Sequence, residues 1–282
     1  MKIFVTGGSS YLGIHMVPYL SKRHHELCYS WLSTPPEQGA LGTPVQVDVR
    51  NREQLSAVIE QFQPDALIHL AASNRSSSED EMVSSIEGGA EAITKIAQKL
   101  SLRLIHMSTD VVFDGSASPY SEDAPVSPPH AYGRAKAQAE KIVGSYERGV
   151  IIRPSLIYSL ERKDRSTEWI EDSLNAGKEV TLFTDQIRMP VSTDTLSGAC
   201  LELIKHDFSG ILHIVGRQPL SRAEIGQRML DWWEISNRET LKFVPTPPDA
   251  PWPKELTMDI SLAEKILKTP LLGMDEIIGN LS

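Results

Sequence analysis

Tyr132 and Lys136 stand four residues apart in the alanine-rich stretch AYGRAKAQAE. That spacing places both side chains on one face of a helix, a single turn apart. A phenol ordinarily keeps its proton until about pH 10, and an ammonium group alongside favours the phenolate and lowers that value. The pair therefore makes a proton donor or acceptor that works near neutral pH. Alone the pattern carries little information. It gains weight from what precedes it: the turn TGGSSYLG near the N-terminus and the step HMSTDVVFDG before the helix. In that step the hydroxyl of Thr109 or Ser108 can hold a carbonyl oxygen and orient the phenol. Alternation along a strand lets only one of the two face a ligand.

The glycine turn follows a short apolar strand, KIFVTG, and opens a helix whose apolar face recurs at Leu12, Met16 and Leu20. Gly7 and Gly8 allow the tight turn, and Gly13 lets the helix lie close to the sheet. Amides at the helix start, aided by the helix dipole, can then hold a diphosphate. Ser10 stands where the usual fingerprint has its middle glycine, offering an amide and a hydroxyl. A site selective for NAD places an acidic side chain on the adenosine ribose after the second strand. The segment YSWLSTPP has none, and no arginine for the extra phosphate of NADP. Without a carboxylate there is no repulsion, and Ser30 or Ser33 can donate to phosphate, so the reading leans to NADP(H) over NAD(H). Asp48, after the third strand, can accept from the adenine amino group or stand as a solvated turn residue.

The elements around these motifs alternate. Strands are expected at KIFVTG, ELCYSW, TPVQVDV, PDALIHLAAS, LRLIHMST and RGVIIRPSLIY. Helices are expected at REQLSAVIEQF and over most of EDEMVSSIEGGAEAITKIAQKL, where Gly88 and Gly89 weaken the middle. This order predicts an α/β fold, a doubly wound parallel sheet of Rossmann-like type with right-handed crossovers. A smaller C-terminal substrate lobe should close over the carboxyl ends of the strands. The expected division is a dinucleotide-binding domain over 1–158 and a mainly substrate-binding lobe over 159–282, with some segments returning to the main sheet. The long segment from Asp110 to His130 starts at a strand end and leads into the Tyr132 helix, which marks it as functional.

A net charge of −9, from 28 basic and 37 acidic residues, argues against nucleic acid or an anionic membrane as the main partner. A small-molecule substrate fits better. No apolar run approaches the roughly 20 residues that span a bilayer. Cys28 and Cys200 are too few for a disulfide framework or a metal cluster, and no metal site is expected. Because MKIFVTGG enters a strand at once, no signal peptide is expected and the reading is cytoplasmic. A homodimer is possible, being the commonest assembly of such proteins.

Together the glycine turn, STDVVFDG, PYSEDAPVSPPHAYGRAKAQAEK and IIRPSLIY resemble the extended short-chain dehydrogenase/reductase superfamily. Within it, the chain is similar to the dTDP-4-dehydrorhamnose reductase family over almost its whole length. The resemblance implies hydride transfer from a reduced nicotinamide to the 4-keto group of a nucleotide-linked deoxysugar. In that scheme Tyr132 gives a proton to the forming alkoxide, Lys136 holds the nicotinamide ribose and Thr109 fixes the carbonyl. The resemblance also implies cofactor contacts at Ser10, Tyr11, Leu12, Asp48, Val49, Ala71, Ala72, Ser73 and Met107, beside Gly7, Gly13 and Ser30. Substrate contacts fall on Thr109, Asp110, Leu156 and Arg188.

Two departures lie on the substrate side. Trp252 occupies the place of a family arginine, and Ser85 that of a common asparagine. An arginine lost from a diphosphate pocket typically removes a charge-assisted contact of about 1.5–3 kcal/mol. A tryptophan there can stack on a base or an aromatic substrate. Three alternatives stay open: a reductase of a non-sugar ketone, an epimerase or dehydratase that reoxidises its cofactor in each cycle, and a non-catalytic regulatory subunit. The beta subunit of methionine adenosyltransferase, similar to the same family, is an example of the last.

Overall fold

The computed structural model describes residues 1–73 and 76–281. Six strands come first: β1 (Lys2–Thr6), β2 (Glu26–Trp31), β3 (Thr43–Gln46), β4 (Ala66–His69), β5 (Arg103–Met107) and β6 (Gly149–Arg153). Four short ones follow, β7 (Ile157–Tyr158), β8 (Val180–Phe183), β9 (Ile187–Arg188) and β10 (Val191–Ser192). The chain then returns to the main sheet at β11 (Gly210–His213) and ends its strands with β12 (Leu220–Ser221) and β13 (Leu241–Val244). The main sheet has seven strands in the order β11-β6-β5-β4-β1-β2-β3, every neighbour parallel. The strand order reverses between β1 and β4, and a crevice opens there above the carboxyl ends.

Period-two alternation in the strands sends side chains to two separate cores. On one face, Ile3, Val5, Ile68, Ile105 and Ile152 pack against α1 (Tyr11–Ser21) and α7 (Thr193–Ile204). On the other, Phe4, Leu67, Leu104 and Ile151 meet α2 (Arg52–Phe62), α4 (Gly88–Leu100) and α5 (Ala131–Gly144). The short α3 (Glu79–Met82) continues through a π-turn at Val83–Glu87 into α4, so the two glycines do not interrupt the helix. A Cβ on Gly89 would lie 3.0 Å from the Val49 side chain. Glycine here lets the loop after β3 approach α4.

Among the expected strands that end early, two do so for a clear local reason. Beyond Gln46 the chain turns at Asp48, whose carboxylate accepts from the Arg50 amide at 2.9 Å. RGVIIRPSLIY divides at Pro154, which has no amide to donate, into β6 and β7.

Beyond Tyr158 the chain serves both regions. β11 and α7 complete the main sheet and its helical layer. The parallel pair β8–β13 packs with α6 (Arg165–Asn175) and α8 (Arg222–Trp232) around Leu174, Leu182 and Leu230. The chain closes with α9 (Ser261–Ile266) and α10 (Met274–Leu281). The long segment before α5 is held by its own aromatic pair, Phe113 stacked on Tyr120 with centroids 4.0 Å apart. It is also held by a bridge from Tyr120 to Met258.

Candidate active site

A cavity of about 610 Å³ occupies the crevice at the strand-order reversal. Its walls include Gly7, Ser10, Tyr11, Ser30, Asp48, Val49, Ala71, Ala72, Ser73 and Tyr132. The other expected cofactor residues stand behind those walls. Leu12 and Gly13 are buried under the turn, while Lys136, buried on α5, meets Met107 at the end of β5. The Ser10 hydroxyl caps α1 by accepting from the Gly13 amide at 3.2 Å. A Cβ on Gly13 would sit 2.4 Å from the Gly7 carbonyl oxygen, so glycine alone lets the helix start nest on the turn. The Ser30 hydroxyl accepts from the Gly7 amide at 3.2 Å and braces the same turn.

Asp48 is more engaged than a solvated turn residue. Arg50 donates to it through Nε at 2.9 and 2.8 Å and through Nη2 at 2.5 Å. These hydrogen bonds hold the Asp48 carboxyl below its ordinary range. Arg50 also lines the cavity. It lies two residues past Asp48 in the sequence, and attention to the second strand alone overlooks it.

Helix α5 carries two neighbouring stripes. Ala135, Ala139 and Val143 pack into the core, and Tyr132, Lys136 and Glu140 form a neighbouring stripe, Lys136 and Glu140 each one residue after an alanine of the first. Tyr132 is half-buried and reaches the cavity. The Lys136 ammonium lies 6.0 Å from the centre of the Tyr132 ring and donates to the Met107 carbonyl at the end of β5, at 2.8 Å. Glu140 ends the stripe in a buried ion pair with Arg153, at 2.7 and 2.9 Å. Ser108 donates to the same carboxylate at 2.5 Å. Ser108 is thus turned into the buried pair. Thr109 donates to Asp110 Oδ1 at 3.3 Å and accepts from the Val111 amide at 3.4 Å. It is buried and lines neither this cavity nor the next.

Burial pushes the Lys136 ammonium down to about 8, with the Glu140 carboxylate opposing the shift. The nearby His69 and His106, stacked 5.2 Å apart, are driven well below the usual histidine range, first by burial and then by the Lys136 charge. Both rings stay neutral at physiological pH. The Lys136 charge is present below about pH 8 and lost above it. If that charge holds the reacting assembly, kcat/KM should fall as pH rises through this value, while neither histidine adds a limb near neutral pH. A pH–rate profile checks this, and one that stays flat to about pH 10 contradicts it.

A second cavity of about 260 Å³ adjoins the first, with Ser166 in both walls. Asp110, Leu156 and Arg188 meet here, joined by residues not foreseen from sequence: Arg222, Gln186, Trp169 and Phe183. Trp252 completes the rim. Asp110 accepts from Ser155 Oγ at 2.7 Å. Arg188 borders the space, but its guanidinium donates to the carbonyls of Pro253 at 2.8 Å, Ile187 at 2.7 Å and Lys254 at 3.3 Å. It anchors the Trp252 segment. Ser85, on the wall of the larger cavity, donates to the Glu81 carbonyl at 2.8 Å. Among the described residues, no group of three or more His, Cys, Asp or Glu is placed to hold a metal ion. No described helix is long and apolar enough to cross a membrane.

The chain is similar to known proteins over most of its length. Residues 1–278 match the family model described as RmlD substrate binding domain. A probable low-salt glycan biosynthesis reductase of Haloferax volcanii is 28% identical over 243 residues, 82% of this chain and 80% of that one. Methionine adenosyltransferase 2 subunit beta of Xenopus laevis is 28% identical over 228 residues, 75% of this chain and 68% of the relative. Among solved structures, a hypothetical dTDP-4-dehydrorhamnose reductase from Sulfolobus tokodaii is 27% identical, with a TM-score of 0.82 over 98% of both chains.

Proposed function

The chain belongs to the RmlD substrate binding domain family, and from that premise we propose that it is an NAD(P)H-dependent reductase of a nucleotide-linked 4-keto deoxysugar. The observation that carries this reading is the position of Tyr132: on the wall of the dinucleotide-sized crevice, one helical turn from a buried lysine tied to the end of β5. The crevice fits a nicotinamide cofactor. Its volume falls within the roughly 300–1,000 Å³ of ordinary ligand sites, and the glycine turn gives the close approach to helix-start amides that a diphosphate needs.

When bound, the reduced nicotinamide would supply the hydride. The protein's part is to place the ketone and manage its proton. Tyr132 donates its phenolic proton to the oxygen that becomes an alkoxide. Lys136, held at Met107, supports the phenolate left behind and, in this reading, holds a ribose hydroxyl. Thr109 is proposed to orient the carbonyl oxygen, which requires its hydroxyl to turn from its bonds to Asp110 and the Val111 amide toward the cavity.

The cofactor preference proposed is NADP(H), and Arg50 is the residue proposed to carry it. No carboxylate lines the end of β2, and Arg50 already sits at this wall, balanced on Asp48. Its guanidinium is 43% exposed and can share itself with a 2′-phosphate. Replacing Arg50 with glutamine is expected to weaken NADPH binding about tenfold or more, the value of a charge-assisted hydrogen bond. NADH binding should change by no more than about twofold. Titration of both cofactors checks the difference, and equal losses would remove Arg50 from this role.

The reductase reading is tested by following NADPH oxidation against a panel of nucleotide 4-keto sugars and a panel of unrelated ketones. Net oxidation with the sugars is expected. An epimerase or dehydratase would show none, and activity confined to the second panel would point to a non-sugar ketone. The match to a methionine adenosyltransferase subunit keeps one other outcome in view: a stoichiometric partner enzyme and no turnover with either panel.

A further inference from the structure

The smaller cavity has an unusual rim. Trp252 and Trp169 are 49% and 57% exposed, and both line this one space. A tryptophan left in water forgoes a large apolar burial, which a stacked ring would recover. Trp252 is held in position, since its ring meets that of His130 with centroids 4.9 Å apart. The carbonyls of Pro253 and Lys254, next along the chain, are fixed by Arg188. His130 in turn stands at the N-cap position of α5, the helix that carries Tyr132.

A second, independent feature lies in the same wall. Gln186 is only 6% exposed, and its amide nitrogen has no hydrogen-bond partner among the described residues. A buried amide donor left unpaired is costly, and an acceptor arriving with a ligand removes that cost. The arginine expected to face substrate here, Arg188, is committed to backbone carbonyls. Recognition at this end therefore falls to ring faces and an amide edge. Arg222 adds positive charge to the same wall.

We infer that Trp252, Trp169 and Gln186 form the subsite for the planar base of the substrate. A pyrimidine-type ring stacks on the rim tryptophans and its ring carbonyl accepts from the Gln186 amide, while Arg222 serves the phosphates between base and sugar. This subsite rests on the reading of the chain as a nucleotide-sugar reductase and specifies how that substrate is held. It assigns Trp252, which stands in place of the family's arginine, a stacking role in place of an ionic one.

Calorimetric titration of the full chain, saturated with NADP⁺, tests the assignment without turnover. Thymidine diphosphate is the probe, and inorganic pyrophosphate is the control that lacks a base. In Trp252→Ala, thymidine diphosphate should bind about ten- to a hundredfold more weakly, the value of one base–aromatic stack. Trp252→Phe keeps a ring and should stay within about threefold of the wild type. Gln186→Leu should lose about fivefold or more. Pyrophosphate should bind weakly and equally to the wild type and to Trp252→Ala.

Unchanged affinity for thymidine diphosphate in Trp252→Ala overturns the subsite, as does pyrophosphate binding as tightly as the nucleotide. Failure of the nucleotide to bind a wild-type protein that still reduces a nucleotide-free ketone also overturns it, while leaving a reductase standing. Base-dependent binding without turnover would keep the subsite and end the reductase reading.

Discussion

Replacing Tyr132 with phenylalanine is expected to lower kcat by about a hundred- to ten-thousandfold, the usual contribution of a positioned general acid. Cofactor affinity should stay within about twofold, because a group acting only in the transition state leaves ground-state binding intact. The substitution keeps the ring that packs against α5's neighbours and removes only the hydroxyl. The effect should therefore appear in kcat and not in the thermal midpoint. Stopped-flow or steady-state measurement of NADPH oxidation, beside a cofactor titration, separates the two quantities. Turnover equal to wild type would remove Tyr132 as the proton donor. A matching loss of cofactor affinity would make it a binding residue.

The second large effect concerns what holds that helix in place. Replacing Glu140 with alanine is expected to destabilise the fold by about 3–5 kcal/mol, because it leaves a buried guanidinium without its counter-charge. The Arg153 side chain is 2% exposed, and arginine cannot shed its proton to relieve the burial. Its remaining contacts include the Glu122 carbonyl at 3.2 Å, the His213 ring nitrogen at 3.4 Å and the Phe113 ring at 5.0 Å. They satisfy part of the fork without supplying a negative charge. Ser108 loses its acceptor in the same step. For a chain of this size the thermal midpoint should fall by roughly 10 °C.

The double variant Glu140→Leu/Arg153→Met should recover most of that loss, since an apolar pair of similar volume replaces the ions at little net cost. Chemical unfolding of the three proteins measures both effects. A single variant within about 1 kcal/mol of wild type would show that solvent or a rearranged neighbour compensates Arg153.

Much of the fold was legible because the local signals agree. REQLSAVIEQF forms α2 over the expected residues, and the apolar alternation of KIFVT already divides its side chains between the two cores. The parallel sheet follows from strand and helix taking turns. Pro154 shows where such reading slips. The apolar run continues past it, but the missing amide ends the ladder.

The site divides along similar lines. Tyr132 and Lys136 share one helix, so their spacing alone places them together, and the glycine turn carries its geometry in four or five residues. Contacts between distant segments had no such signal. That Arg188 is taken up by carbonyls 65 residues away depends on how the 251–258 segment folds back. Gln186, Arg222 and Trp169 meet only because β9, α8 and α6 converge on one cavity. That Ser108 donates to Glu140 across 32 residues had no local signal either. Arg50, two residues past Asp48, had a local signal that reading the second strand alone missed.

The most direct test is to supply NADPH deuterated at the nicotinamide transfer position together with a nucleotide-linked 4-keto deoxysugar. The product is then examined by mass spectrometry and NMR. One deuterium on the carbinol carbon for each cofactor oxidised is the expected result, with the signal all but abolished in Tyr132→Phe. Product sugar formed without deuterium, or a cofactor that is never consumed, would contradict the assignment of this crevice to carbonyl reduction.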